Sequence, residues 1–384
     1  MDSTLTSERQ PDFPPTAVLP PTDPGVLPRP EGWSIGLLER VRIILRGGSV
    51  IDWYRLGFDT AAEVQEFLRV NGYDVSRPAD ELRVRALLSE AAEYLRAELS
   101  LEIPRELWAP ERVETPFLVA SSRSEDPEAI AAQRGACILL KLVHTLNHLE
   151  ARELRLGLAL PETEVFARVE AAVDRELQAL ADEGIPVLRV DKSRKSRDST
   201  ITKLLSKRRA TAAQIMDRLR FRVVVEARSD IPVLLAAMTR RLVPFNHVIP
   251  EESTNDLIDF ARFARSLPTL RPWLGSLQFR LDLEKEDPLG GEINECSADE
   301  FRMLNFVIDV PVRVDDVMVV PSHAHLRPLG CVVFVSAEFQ LYDRATWDSN
   351  ERNTAASHEA YKERQRVRVI HRLHEGLERE YNQE

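Results

Sequence analysis

The sequence predicts an α+β protein, a mixed β-sheet flanked by helices and preceded by an all-helical segment. Three observations carry this. Apolar residues recur at three- and four-residue spacing from about residue 34 to 184. From residue 186 onward, short strand-like runs rich in Val, Ile, Phe and Leu appear. Gly184 and Pro186, a helix stop and a helix breaker, stand between the two regions.

In chain order, residues 1–33 come first, with eight prolines and few core-forming side chains, and they read as a Pro-rich disordered tail. IGLLERVRIIL, TAAEVQEFLRV and DELRVRALLSEAAEYLRAEL follow as amphipathic helices, then two longer ones, AIAAQRGACILLKLVHTLNHLEARELRL and ETEVFARVEAAVDRELQALADEG. These make 34–184 a helical domain. Residues 185–384 form the second domain, with strands at 186–190, 218–227, 275–284, 304–314 and 331–343. A helix over 231–242 and a charged helix over about 356–381 accompany them.

The formal net charge is −11, so non-specific nucleic-acid binding by the whole surface is excluded and any anion site is local. Three well-separated cysteines without a CxxC pair point to a reducing compartment, without a disulfide framework or cysteine-based zinc site. No apolar run reaches membrane-spanning length, and the polar N-terminus lacks a signal-peptide core; the expectation is a cytoplasmic protein with no membrane partner.

Against this acidic background, DKSRKSRDSTITKLLSKRRA (191–210) holds four of the seven lysines and eight basic residues against Asp191 and Asp198. Lys195, Ser199 and Lys203 recur every four residues. A helix capped by Asp198 or Ser199 aligns them on one face and presents its N-terminus to a phosphate. Lysines here are flexible point charges suited to a triphosphate. The plainer readings are a solvated basic face or an RNA-binding patch. Asp217 stands at the mouth of the next strand, where a carboxylate beside basic residues is suited to Mg²⁺. In CVVFVSAEFQLYD, strand alternation places Phe334, Ser336, Glu338 and Gln340 on one face and five apolar residues on the other. A carboxylate within such a strand needs a partner, either a metal or a neighbouring Arg. His144 and His148, spaced i, i+4, suggest a metal pair with Glu150 or Glu153. Without a third ligand or an HExxH pattern, a structural role is the better reading.

Together these motifs resemble the synthetase domain of the RelA/SpoT family, the (p)ppGpp synthetases of the DNA-polymerase-β-like nucleotidyltransferase superfamily. KSRDSTITKL supplies Lys195, Ser196, Ser199, Lys203 and Leu204 of the family's basic motif, and DRLRFRV supplies Asp217, Arg222 and Val223. EFRMLNFVIDVPV matches the loop-and-strand frame with Phe301 and Leu304. AEFQL and ASHEAYK supply Glu338, Gln340, His358, Tyr361 and Lys362. The four motifs cover about 190–372 in the family's order. Departures are Ser193 at the first arginine of the basic motif, Glu300, Phe301 and Asn305 in the acceptor loop, and Tyr342-Asp343 after EFQL.

The resemblance implies transfer of the β,γ-diphosphate of ATP to a 3′-hydroxyl of a nucleotide (GDP, GTP or another) or RNA, an alarmone-type reaction of the stringent response. It implies Asp217 and Glu338 as catalytic residues and ligands of Mg²⁺ (or Mn²⁺), and Lys195, Ser199, Lys203, Lys207 and Arg222 on the ATP phosphates. Phe301, Asn305 and Gln340 fall on the acceptor side, with His358, Tyr361 and Lys362 as further motif residues. The chain lacks the His-Asp pair of the family's hydrolase domain. Residues 34–184 are left for homo-oligomerisation or a regulatory partner. The alternatives are a nucleotide-binding regulator without turnover and an RNA-binding module.

Overall fold

The computed structural model describes residues 32–48, 57–122, 124–158, 160–206, 219–268, 301–352 and 358–381. Five helices of the first half form where periodicity predicts them, α1 (Ile35–Arg46), α2 (Ala61–Val70), α3 (Pro78–Leu99), α6 (Pro127–Leu158) and α7 (Glu162–Asp182); two short ones, α4 (Arg105–Trp108) and α5 (Thr115–Ser121), were not expected. Local chemistry sets their ends. The Ser34 hydroxyl accepts from Leu37 N–H at the start of α1, and Thr60 and Glu63 form a reciprocal capping box on α2. Gly184 follows α7 at φ +98°, a conformation that costs glycine no Cβ clash.

β1 (Val187–Arg194), α8 (Arg197–Ser206), β2 (Leu219–Val225), α9 (Asp230–Arg241), β3 (Thr254–Asn255) and α10 (Phe260–Ser266) follow. Then come β4 (Leu304–Arg313), α11 (Asp315–Met318), β5 (Val332–Asp343), α12 (Arg344–Arg352) and α13 (His358–Tyr381). The sheet order is β1-β2-β5-β4-β3. β2 and β5 run parallel, and the other pairs are antiparallel. The strand expected at 275–284 and the tail at 1–31 lie outside the described residues.

The two faces of the sheet follow from alternation. On one, Phe306, Phe339 and Phe221 stack across three strands with centroids 5.4 and 5.1 Å apart. Leu219, Val223, Ile308, Ala337 and Leu341 are fully buried around them. α7 covers the β1 edge of this face: Lys192 and Arg194, in register with Phe221 and Leu219, pair with Asp174 at 2.5 Å and Glu170 at 2.7 Å. Fully burying one of the Phe, Leu or Val side chains of this face stabilises by about 1.5–3 kcal/mol. The other face carries the polar residues.

One continuous hydrophobic core joins the N-terminal helices to the sheet. Gly72, at φ +93° between α2 and α3, brings the backbone so close to Val332 that a Cβ there would meet its methyl at 2.9 Å. Nearby, Arg313 of β4 donates to buried Asp80 of α3 at 2.6 Å and to the Gly72 carbonyl at 2.6 Å. α6 departs from the expectation about apolar runs: one 18-residue window within it is apolar enough, and the helix long enough, to cross a bilayer. Ala136, Leu139, Leu140, Ala151, Leu154 and Leu158 form its buried side.

Candidate active site

The polar face of β2, β5 and β4 forms a connected lattice. Parallel pairing sets Arg220 against Glu338 and Arg222 against Gln340, and antiparallel pairing sets Asn305 against Gln340. Arg220 Nε donates to Glu338 Oε2 at 2.6 Å. Gln340 Nε2 donates to Glu338 Oε1 at 2.9 Å, and Gln340 Oε1 accepts from Arg222 Nε at 3.1 Å and from the Tyr342 hydroxyl at 3.2 Å. Glu338 is 6% exposed, so a buried carboxylate has both oxygens engaged. The Arg pairing weighed against a metal ligand is the arrangement present.

Burial raises the Tyr342 phenol well above its usual range. Phe301 meets Tyr342 edge-on at 6.5 Å, at the same end of the lattice. Asn305 Oδ1 is buried without a hydrogen-bond partner, an acceptor beside Gln340 that nothing in the described protein satisfies. Asp343, an unexpected residue after EFQL, caps α12. Its carboxylate accepts from Thr346 N–H at 3.0 Å and from Arg228 at 3.2 Å. Burial works against its charge, but the bonds from Thr346 and Arg228 hold its pKa below the ordinary value.

The basic segment enters at the Glu338 end. Arg194, the last residue of β1, pairs with Leu219, which adjoins Arg220. Lys195 and Ser196 then lead into α8. The cap differs from the expected one: Ser196 Oγ accepts from Ser199 N–H at 3.2 Å, so the helix begins at Arg197. Lys195 therefore precedes α8 and does not share a helical face with Ser199 and Lys203. Ser199 Oγ accepts from the Ser196 hydroxyl at 3.0 Å. Lys192 and Arg194 face α7 rather than the polar lattice. Asp217 and Lys207 lie outside the described residues. Lys203, His358 and Tyr361 fall on α8 and α13, and Lys362 is exposed. α13 lies against α8, with Arg372 donating to the Leu205 carbonyl at 2.6 Å.

Of the predicted residues, then, Glu338, Gln340, Arg222, Asn305 and Phe301 are brought together. Sequence reasoning missed Arg220 and Tyr342. The signal for Arg220 was the alternation in RLRFRV, which sets Arg220 and Arg222 on one face.

A third histidine, His247, joins His144 and His148, with ring centroids 5.4 and 4.7 Å away. Burial lowers all three pKa values, that of His144 to about 3.

No family model matches the sequence, and no curated protein matches it. Among solved structures, the chain is similar to small alarmone synthetase 2 from Bacillus subtilis at 17% identity and a TM-score of 0.30, over 58% of this chain and 97% of that one. Small alarmone synthetase 1 from the same organism, bound to its product pppGpp, is 15% identical with a TM-score of 0.27, over 61% and 98%. A GTP pyrophosphokinase family protein from Streptococcus pneumoniae is 12% identical with a TM-score of 0.28, over 58% and 91%. At this overlap nothing about the chemistry of this chain follows from them.

Proposed function

We propose that this protein is an ATP-dependent pyrophosphotransferase that moves the β,γ-diphosphate of ATP to a 3′-hydroxyl of a nucleotide acceptor. The observation that carries this reading is the Arg220–Glu338–Gln340–Arg222 lattice on the parallel β2–β5 pair, with the basic segment entering at its Glu338 end. In the proposed step the 3′-oxygen bonds to the β-phosphorus, the bond from that phosphorus to the α,β-bridging oxygen breaks, and AMP leaves with that oxygen. Such transfer asks the protein mainly to position polyanions and neutralise developing charge. Lys195, Ser199, Lys203, Lys207 and Arg222 are assigned to the ATP phosphates. Phe301 offers an aromatic face to the acceptor base, with Asn305 and Gln340 as polar contacts.

Glu338 is assigned the proton of the 3′-hydroxyl. Its ion pair with Arg220 keeps it aimed, and transfer requires Arg220 to move from the carboxylate onto the bound phosphates. Mg²⁺ or Mn²⁺, when bound, supplies charge neutralisation at the phosphates. Glu338 already accepts from two protein donors, and Asp217 is outside the described residues. Asp217 and Glu338 are proposed to hold the ion, Glu338 once Arg220 has moved off it, and no step is written through it. A cytoplasmic location accords with nucleotide substrates.

The same ion pair favours a second reading, a nucleotide-binding regulator in which Arg220 holds Glu338 out of reach. Incubation with γ-³²P-ATP, Mg²⁺ and separate GDP, GTP, ADP, ATP and tRNA decides between them. Label in one acceptor, lost in Glu338→Gln and Asp217→Ala, supports transfer. ATP binding without transfer to any acceptor overturns the enzyme reading in favour of the regulator. Salt-sensitive RNA binding without ATP dependence would instead favour the RNA module.

A further inference from the structure

We propose that His144, His148 and His247 form a binding site for a divalent transition metal with imidazole preference, Zn²⁺, which ties α6 to the sheet. His144 and His148 share a face of α6 one turn apart. His247 comes from the short 3₁₀ turn Phe245–His247, fastened to the edge of β4 by the Val248–Ile308 bridge and by Ile249 N–H to the Val307 carbonyl at 2.9 Å. One ring nitrogen from each histidine lies within 4.8 Å of the other two. Tetrahedral coordination at about 2.0–2.1 Å brings such nitrogens to roughly 3.3–3.4 Å of one another, a contraction that small side-chain rotations supply.

The hydrogen bonding independently points to a missing ligand. His247 Nδ1 lies 3.3 Å from the Asp309 carbonyl oxygen, a contact that requires the proton on Nδ1 and leaves a lone pair on Nε2. His247 is 2% exposed, and its Nε2 is buried with no hydrogen-bond partner. His148 repeats the arrangement, with Nδ1 3.7 Å from the Asp309 carboxylate and Nε2 buried without a partner. Histidines that bind a metal through one nitrogen commonly hold the other against a carboxylate or backbone carbonyl, and Asp309 supplies both. Two buried acceptors in one place lack a partner, and a shared cation satisfies both.

His144 supplies the third ring; its Nδ1 lies 3.5 Å from the donor Asn246 Nδ2, and binding the ion through either ring nitrogen gives up this long contact. The Phe334 ring closes one side, 4.5 Å from both His148 and His247. Three nitrogen donors under an aromatic lid select zinc-like ions and reject the oxygen-seeking Mg²⁺. The Glu residues considered from the sequence take no part: Glu150 pairs with Arg83, and Glu153 is exposed. Asp309 also accepts from Ser336 at 2.6 Å, two residues before Glu338, so the ion would brace the strand that carries the polar lattice.

The test uses the full chain stripped with EDTA and dialysed, then titrated with ZnCl₂ against a chromophoric chelator, with Co²⁺ as a spectroscopic substitute. Expected are one Zn²⁺ per chain, visible d–d bands of tetrahedral Co²⁺, and a thermal midpoint several degrees higher with Zn²⁺. His247→Ala and His148→Gln each weaken binding at least 100-fold and abolish the thermal shift. His148 sits at the partly exposed edge, so His148→Gln stays informative if His247→Ala fails to fold. His371→Gln/His374→Gln, on α13, leaves binding unchanged. Absence of stoichiometric binding by the folded wild type, or binding that survives His148→Gln and disappears with the α13 pair, overturns the site.

Discussion

Removing Arg220 destabilises the fold far more than neutralising the carboxylate it serves. Glu338 has a side chain 8% exposed and Arg220 one 22% exposed, and they meet at 2.6 Å. In Arg220→Met the carboxylate stays in place, charged and buried, with only the Gln340 amide as donor. Breaking a buried pair from one side costs about 3–5 kcal/mol. Arg222, across from Gln340, gives partial relief, so the expected loss is about 3 kcal/mol. Glu338→Gln removes the charge, keeps the shape and leaves an arginine that reaches water; its cost is about 1 kcal/mol. The double variant then loses less than the sum of the singles, with a coupling of roughly 1.5–2 kcal/mol. Urea unfolding of the four proteins, followed by circular dichroism, measures all these terms. Equal losses in the two single variants with additive behaviour in the double would refute the reasoning, because the pair would then be solvent-screened and weak.

Three further outcomes are expected. Asp80, 2% exposed, bonds Arg313 at 2.6 Å across the join between helices and sheet, so Arg313→Met should cost about 3 kcal/mol in urea unfolding, and Asp80→Asn distinctly less. The hydrogen bond from Arg313 is the main cause holding the Asp315 carboxyl at about 2, against a smaller opposing effect of burial. A depressed carboxyl stabilises above its unfolded value and loses that contribution as pH falls through about 2. Asp315 is 41% exposed, so the contribution is discounted to about 1 kcal/mol. The gap between wild type and Asp315→Asn should therefore close between pH 4 and 2. Phe339→Ala, at the centre of the three-ring stack, should cost about 3–5 kcal/mol and show as a lower thermal midpoint.

The five longer N-terminal helices, the helices at 230–241 and 358–381, and the strands at 219–225, 304–313 and 332–343 were legible because each depends on local periodicity, whereas the first strand, read as ending at 190, runs on to Arg194. So was the two-faced character of β5, from which Glu338 and Gln340 stood out. The helix after the basic segment was mislocated because two serines three residues apart both qualify as caps. Backbone geometry decides between them, and Ser196 bonds the Ser199 amide. The charge of the basic segment was over-read for a related reason. Composition counts Lys192 and Arg194 with Lys195, whereas strand alternation turns those two toward the acids of α7.

The partners that define the site are long-range facts of register. Arg220 meets Glu338 only because β2 and β5 run parallel in one register, and a two-residue slip would offer Arg222 instead. His247 reaches the α6 pair only because its turn is fastened beside β4. In both cases a residue type suited to the chemistry stood alone in the sequence, and the sheet supplied the neighbour. The polar lattice and the three-histidine cluster are joined through Asp309, Ser336 and Glu338 on adjacent strands. A change in the histidine cluster that shifts β4 against β5 therefore alters the setting of Glu338 while leaving the apolar face of the sheet unchanged.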